Sequence, residues 1–415
     1  MKKVLILLFL FNAVLFAQLN PLDIYSKITT KEARKEFTEN QIKLIENTFN
    51  SIPDSIDYEK FSSAFWAMEL INYKTDNIKE KLDKILENYS NYPISFKRSL
   101  LQIIYSMYPL QYFKPLSNIL FTETNDKLFA MCANYLIRMG YDKIELKKTM
   151  VNNFPKYNES PILFMLSYNL EEPALVKPSI KDLIKHNIKT NYPIIYSFQR
   201  KNRDYQGIAV IKMVNGKLLK KSNNVPFYIK QLARAVTNLP GYITNGNTPQ
   251  GIFSIQKFGN STNKFIGPTP TIELVLPYEV SPILYFNDSL LTNNEWTYDM
   301  YKNMLPVSWQ NYTPIFEAYY AGKAGRNEII SHGTTVDPTY YKNAPFFPNT
   351  PTYGCLCASE VWNPTTGQLI QSDQLELDNA IINYGFPKGF LMVVELDDQE
   401  KDVTLEEVVK LFEEN

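Results

Sequence analysis

Through the first half of the chain, apolar residues return at the three- and four-residue spacing of a helix face. Ile42, Ile45, Phe49 and Ile52 follow it, as do Ile78, Leu82, Ile85 and Leu86. The same spacing recurs in Leu100, Leu101, Ile104 and Tyr108, then in Leu128, Met131, Cys132, Tyr135 and Leu136. The runs are short and punctuated by Pro, Asn and Asp, as at Pro53-Asp54 and Tyr92-Pro93. Residues 21–190 therefore predict an all-α domain. Its helices form either stacked hairpins, in the manner of a HEAT-like array, or a plain bundle, and no repeat is strict enough to choose.

Near Tyr192 the period shortens. Ile194–Phe198, Gly207–Met213, Glu273–Leu276, Ile283–Phe286 and Phe390–Leu396 are β-branched or aromatic runs of strand length. Asn215-Gly216 is a hairpin turn signal, and Asn245-Gly246 marks a second turn. Helices are expected over Ser372–Tyr384 and in the terminal segment 399–415, where Thr404 and Glu407 have the spacing of a capping box. Glycine usage changes at the same boundary: of fifteen glycines, only Gly140 precedes residue 190. The chain thus reads as multidomain, α then mainly β, with the second domain at 191–398.

The first residues carry a different signal. Lys2 and Lys3 precede an apolar run from Val4 to Phe16, and Ala17 offers a small residue for cleavage before Gln18. Residues 1–17 have the pattern of a secretory leader and are short of the roughly 20 residues of a spanning helix. The alternative is a short anchor that stays in place. No later run is long and apolar enough to span. Export across the inner membrane to the periplasm or cell envelope is the expectation. The 43 basic and 43 acidic residues balance, which argues against a nucleic-acid binder. Three cysteines are too few for a disulfide scaffold.

Two histidines and three cysteines limit the candidate chemistry. Cys132 lies on an apolar helical face and reads as a packed thiol. His186 follows Lys185 in an expected surface helix, Ile180–Ile188, and reads as solvated. His332 and Cys355 differ, because each sits beside a glycine, in Ser331-His332-Gly333 and Tyr353-Gly354-Cys355. A thiol is a nucleophile only as thiolate and needs a base or a positive charge nearby. Glu328-Ile329-Ile330 reads as a strand that would hold His332, and Gly354 would permit close substrate approach. The insert Thr335–Pro351, rich in Pro, Tyr, Phe and Asn, would form a lid or wall. Two histidines make no convincing metal cluster, so no metal or other cofactor is expected.

Three stretches carry a family resemblance: His332-Gly333-Thr334, Thr352-Tyr353-Gly354-Cys355 and the upstream Thr248-Pro249-Gln250-Gly251-Ile252-Phe253. In this order and rough spacing they resemble the L,D-transpeptidase catalytic domain over about residues 195–396. The family cross-links or edits bacterial peptidoglycan. The resemblance implies that Cys355 is the nucleophile and His332 its base. It also implies an oxyanion- and substrate-binding set of Ser331, Gly333, Thr352, Tyr353, Gly354 and Arg326. The thiolate would attack the carbonyl of the L-centre in a stem peptide, expel the terminal D-residue and form a thioester. An amine of a neighbouring stem would then resolve it. One position departs from the family's Gly-Cys-x-Arg: Cys357 stands where arginine is usual, and Arg326 or Arg234 is the candidate replacement. Cys357 reads as a packed thiol, since a bridge to Cys355 two residues away would be strained. The expected partners are peptidoglycan stem peptides and a protein partner for the helical half. Resolution by water, giving a carboxypeptidase or endopeptidase, and a non-catalytic wall-binding module are the alternatives.

Overall fold

The computed structural model describes residues 20–53, 57–171, 176–188, 192–385 and 388–413. The leader read at residues 1–17 lies outside them. The helical half comprises α1 (Lys31–Thr48), α2 (Tyr58–Ile71), α3 (Asp76–Glu87), α4 (Ile94–Met107), α5 (Phe113–Thr122), α6 (Asp126–Arg138), α7 (Lys143–Asn153) and α8 (Pro161–Glu171). A short α9 (Ile180–Lys185) follows. Local sequence explains where several begin. The side chains of Thr75, Asn125 and Asp142 cap α3, α6 and α7 by accepting from the first-turn amides of Ile78, Leu128 and Ile144.

Helix faces behave as the spacing predicts, except that Ile52, expected on the first face, lies past the end of α1 and is exposed. Ile78, Leu82, Ile85 and Leu86 are all buried on α3, and Leu128, Met131, Cys132, Tyr135 and Leu136 on α6. Helix α2 packs on α1 and α4, α4 on α6, and α6 on α8, while α5 and α7 lie behind α6 and α8. The packing is therefore layered, with the even-numbered helices in one row.

The second half is β-rich. Eight strands close a barrel: β1 (Ile194–Gln199), β2 (Gly207–Lys212), β3 (Tyr228–Leu232), β4 (Gly251–Gly259), β5 (Thr271–Val275), β6 (Ile329–His332), β7 (Leu356–Ala358) and β10 (Gly389–Glu395). Strands β8 (Glu360–Trp362) and β9 (Leu369–Ser372) form a separate hairpin. Around the barrel the order is β1, β10, β4, β5, β6, β7, β3, β2. The β1–β10 and β6–β7 pairs are parallel and the others antiparallel. Alternate side chains feed two apolar clusters. Ile195, Phe253, Ile272, Leu356 and Leu391 belong to one; Ile194, Tyr196, Ile252, Phe390 and Met392 belong to the other.

Helices α10 (Pro282–Tyr285), α11 (Tyr298–Lys302), α12 (Glu317–Lys323), α13 (Asp373–Asn383) and α14 (Leu405–Glu413) decorate the barrel. The capping box at α14 forms in both directions: Glu407 N donates to Thr404 Oγ1 at 3.3 Å, and Thr404 N to Glu407 Oε2 at 2.9 Å.

The structure corrects one strand expectation. Ile283–Phe286 is not a strand: Ser281-Pro282 starts α10 instead, with Pro282 in the first turn. The fixed φ of proline suits that position, and its missing N–H costs a helix start nothing. His186, expected in solvent, is half-buried at the end of α9, where burial lowers its pKa despite a hydrogen bond with the Met304 backbone.

The two halves share a core. Leu239, Tyr242 and Ile243, from the loop between β3 and β4, join the apolar cluster of the helical half. Asn134 Nδ2 donates to Tyr242 Oη at 3.1 Å, and Lys127 Nζ to Thr244 Oγ1 at 3.0 Å. At the chain's start, Ile24 packs with Trp362, Leu369 and Leu375. Helix α9, in the helical block by sequence, packs its Leu183 and Ile184 with the barrel.

Candidate functional site

His332 ends β6, and Cys355 immediately precedes β7. The strands are parallel neighbours, with Ser331 opposite Leu356 and His332 opposite Cys357. Cys355 therefore lies two residues before the partner of His332, on the adjoining strand. At a strand spacing of about 4.8 Å and a rise of about 3.3 Å per residue, their Cα atoms are about 8 Å apart. Both residues line one cavity of 440 Å³, together with Thr352, Tyr353, Gly354, Arg326 and Thr334.

The strand's alternation separates the other expected residues. Ser331 faces away from the cavity: its Oγ donates to Gln374 Oε1 at 2.9 Å and accepts from Gln231 Nε2 at 3.1 Å in a buried polar network. Gly333 does not line the cavity either. A Cβ there would collide with the Glu360 carboxylate, which accepts from Thr334 N at 2.9 Å and from Ser372 Oγ at 2.8 Å.

The Cys355 turn is held from several sides. Thr352 Oγ1 donates to Cys355 O at 2.9 Å and accepts from Gly354 N at 3.0 Å. The Gly354 amide is thus occupied by Thr352 and does not face the cavity as a donor in this state. Gly354 has φ of +117°, and a Cβ there would run into the Arg326 guanidinium. Thr248 Oγ1 reaches Gly354 O at 3.0 Å, so the upstream Thr-Pro-Gln-Gly stretch touches the same turn.

Arg326 is 4 % exposed and binds four backbone carbonyls. Nη1 donates to Gly241 O and, at 2.8 Å, to Asn247 O; Nη2 donates to Gly246 O at 2.7 Å and Gly354 O at 3.4 Å. Burial lowers its pKa to about 10, which leaves it charged at neutral pH. The other candidate, Arg234, pairs with Asp204, stacks over the Phe346 ring and does not line the cavity. Of the two arginines, the structure places Arg326 beside the turn.

The acid–base state is set by burial. Desolvation lowers the His332 pKa to about 4, so the imidazole is neutral at pH 7. Its Nδ1 lies against the Gly333 carbonyl, which can only accept; Nδ1 therefore carries the proton and Nε2 is the basic nitrogen. Cys355 is partly exposed, and its Sγ donates to Glu328 O at 3.7 Å. Burial raises the thiol above its ordinary 9, while the Ile330 amide and the Arg326 charge pull the other way. The resting pair is thiol and neutral imidazole. Cys357 is buried at 1 % exposure, pushed up to about 12 by burial, and lies 3.9 Å from Thr350 Oγ1. All three cysteines are free.

The helical half supplies part of the cavity. Trp66 and Leu70 of α2 form one wall, with Phe265 and Val336 beside them. Trp66 and Phe265 rings pack 5.3 Å apart. The insert 335–351 contributes Val336 and Pro351, and its Tyr341 hydroxyl donates to Leu70 O at 2.9 Å. A second cavity of 220 Å³ shares Leu70, Phe265 and Val336 with the first and extends to Arg34 and Phe37 on α1. Sequence reasoning missed Trp66 and Leu70, because an apolar residue in a long apolar helix pattern gives no sign of which cavity it will line, and Phe265, because a single aromatic residue in a polar loop gives none either.

Glu69 was also missed, although it had a signal. It is a lone acid flanked by Ala67-Met68 and Leu70-Ile71 in α2, and it is 1 % exposed. Its carboxylate accepts from the Tyr353 hydroxyl at 2.9 Å. Comparison with protein-family models, curated proteins and solved structures found no match to this chain.

Proposed function

We propose that this protein is an exported cysteine acyltransferase of the L,D-transpeptidase type, acting on peptidoglycan stem peptides. The observation that carries the reading is one cavity lined by both His332 and Cys355, with Nδ1 of the imidazole against Gly333 O. A base that stays neutral at pH 7 can take a thiol proton, and a cavity of 440 Å³ falls within the range that encloses a small ligand.

In this reading the resting site is dormant, because burial disfavours both thiolate and imidazolium. A bound stem brings the electrophile to Sγ. Nε2 of His332 takes the thiol proton as sulfur attacks the carbonyl carbon of the L-centre. The C–S bond forms, the C–N bond to the terminal D-residue breaks, and the imidazolium returns its proton to the leaving amine. A neighbouring stem's amine then attacks the thioester, gives up a proton through His332, and leaves Cys355 as the thiol. The Tyr353 and Cys355 amides are the donors proposed for the oxyanion, since Thr352 occupies that of Gly354. Arg326 takes the place of the guanidinium that Cys357 does not provide.

Digestion of sacculi treated with the purified protein tests this. New dimers joined through the L-centre, absent with Cys355→Ala, support acyl transfer. Shortened stems without dimers would make the same site a hydrolase, and unaltered muropeptides would refute an activity on the wall.

A further inference from the structure

A buried carboxylate is costly unless its oxygens are satisfied. Glu69 meets that requirement through donors from two different parts of the protein. Gln102 Nε2 at 2.8 Å and Ser106 Oγ at 2.7 Å come from α4 within the helical half. The third donor, the Tyr353 hydroxyl, comes from the turn two residues before Cys355. Burial raises the Glu69 pKa, and these three donors oppose the rise.

A second path leaves the same cluster. Gln102 Oε1 accepts from Asn245 Nδ2 at 2.9 Å. Asn245 has φ of +63° in a tight turn with Gly246, whose carbonyl accepts from Arg326, and Arg326 in turn binds Gly354 O. Two chains of hydrogen bonds thus start at one polar cluster between α2 and α4 and end on the residues flanking the nucleophile. One runs through Tyr353 and the other through Asn245, Gly246 and Arg326.

We infer that Glu69 is a positioning residue: through its carboxylate the helical half holds the Cys355 turn in register with His332. The helical half is then part of the catalytic apparatus. The inference rests on Cys355 being the nucleophile, so its test uses a readout that needs no wall substrate. Cys132 and Cys357 are buried at 0 % and 1 % exposure, which leaves Cys355 as the thiol that iodoacetamide reaches in the folded chain.

The experiment measures the pH dependence of Cys355 alkylation in the wild type, Tyr353→Phe, Glu69→Gln and the double variant, with thermal melts alongside. Freeing the turn exposes the thiol, so its titration midpoint falls toward 9 and alkylation at pH 8 rises by about threefold or more in each single variant. Acylation by a carbapenem falls in the same proteins, because exposure and alignment are different properties. The double variant is no further shifted than the larger single, as expected of partners in one interaction. An alkylation midpoint that stays at the wild-type value in folded Tyr353→Phe and Glu69→Gln, whatever their melting temperatures, overturns the inference and leaves Glu69 as structural glue. If acylation is absent from the wild type while the alkylation shifts appear, the proposed activity fails and the positioning role stands.

Discussion

Arg326→Met removes the group that binds four carbonyls at the seam of the barrel, the helical half and the Cys355 turn. Hydrogen bonds from a charged donor contribute about 1.5–3 kcal/mol each, and a buried acceptor left unpaired costs about 1–3 kcal/mol. These figures do not add, because some carbonyls regain water through the cavity that Arg326 lines. With that partial compensation the expected loss is about 3–5 kcal/mol. At about 2–4 °C per kcal/mol, the melting temperature falls by about 6–20 °C. Arg326→Lys keeps the charge, but a single ammonium cannot span the carbonyls that the guanidinium fork reaches, so it falls between wild type and Met. Differential scanning calorimetry of the three proteins, paired with Cys355 alkylation, measures the effect. A melting temperature for Arg326→Met within about 2 °C of wild type would refute the assignment of Arg326 as the organiser of this turn.

Gly354→Ala must strain a backbone at φ of +117° and displace the Arg326 guanidinium; it should lower the melting temperature by several degrees and abolish acylation, and retained activity would contradict the turn geometry. Cys357→Ala removes a packed thiol away from the cavity and should keep acyl transfer within about twofold of wild type; a loss of tenfold or more would give Cys357 a chemical role. Burial lowers His332 from 6.5 to about 4, so the unfolded chain takes up this proton at a higher pH than the folded one. The corresponding stability is present above pH 6.5 and is lost as pH falls through 4, about 3 kcal/mol in all, and urea titrations of His332→Gln should show a correspondingly flatter acid limb. Glu317 and Glu360, raised to about 7 by burial, act in the opposite sense: their contribution is present below 4.5 and lost as pH rises through 7, in wild type and variant alike.

Helices were legible because each buries its own stripe, and that stripe is written locally, as at Ile78, Leu82, Ile85 and Leu86. Ile283–Phe286 was misread because four apolar residues fit either period, and the Ser-Pro start signal decided the outcome. The structure places His332 and Cys355 on one cavity, while their glycine neighbours serve packing: Gly333 lies against Glu360 and Gly354 against Arg326. The different facing of Ser331 follows from strand alternation next to a residue that points into the site. What could not be read was long-range. Arg326 meets Gly354 across a loop excursion, and Glu69 meets Tyr353 across 284 residues of chain. No local pattern encodes such pairs; a lone acid in an apolar helix shows only that a partner must exist.

The most direct test is intact-mass analysis after exposure to a carbapenem, an acyl donor analogue that a cysteine nucleophile opens into a stable thioester. Peptide mapping should place a single adduct on Cys355. The adduct should be absent in Cys355→Ala and form at least about 100-fold more slowly in His332→Gln, as expected for loss of the general base. An adduct that persists in Cys355→Ala, or that forms at the wild-type rate without His332, would contradict the account.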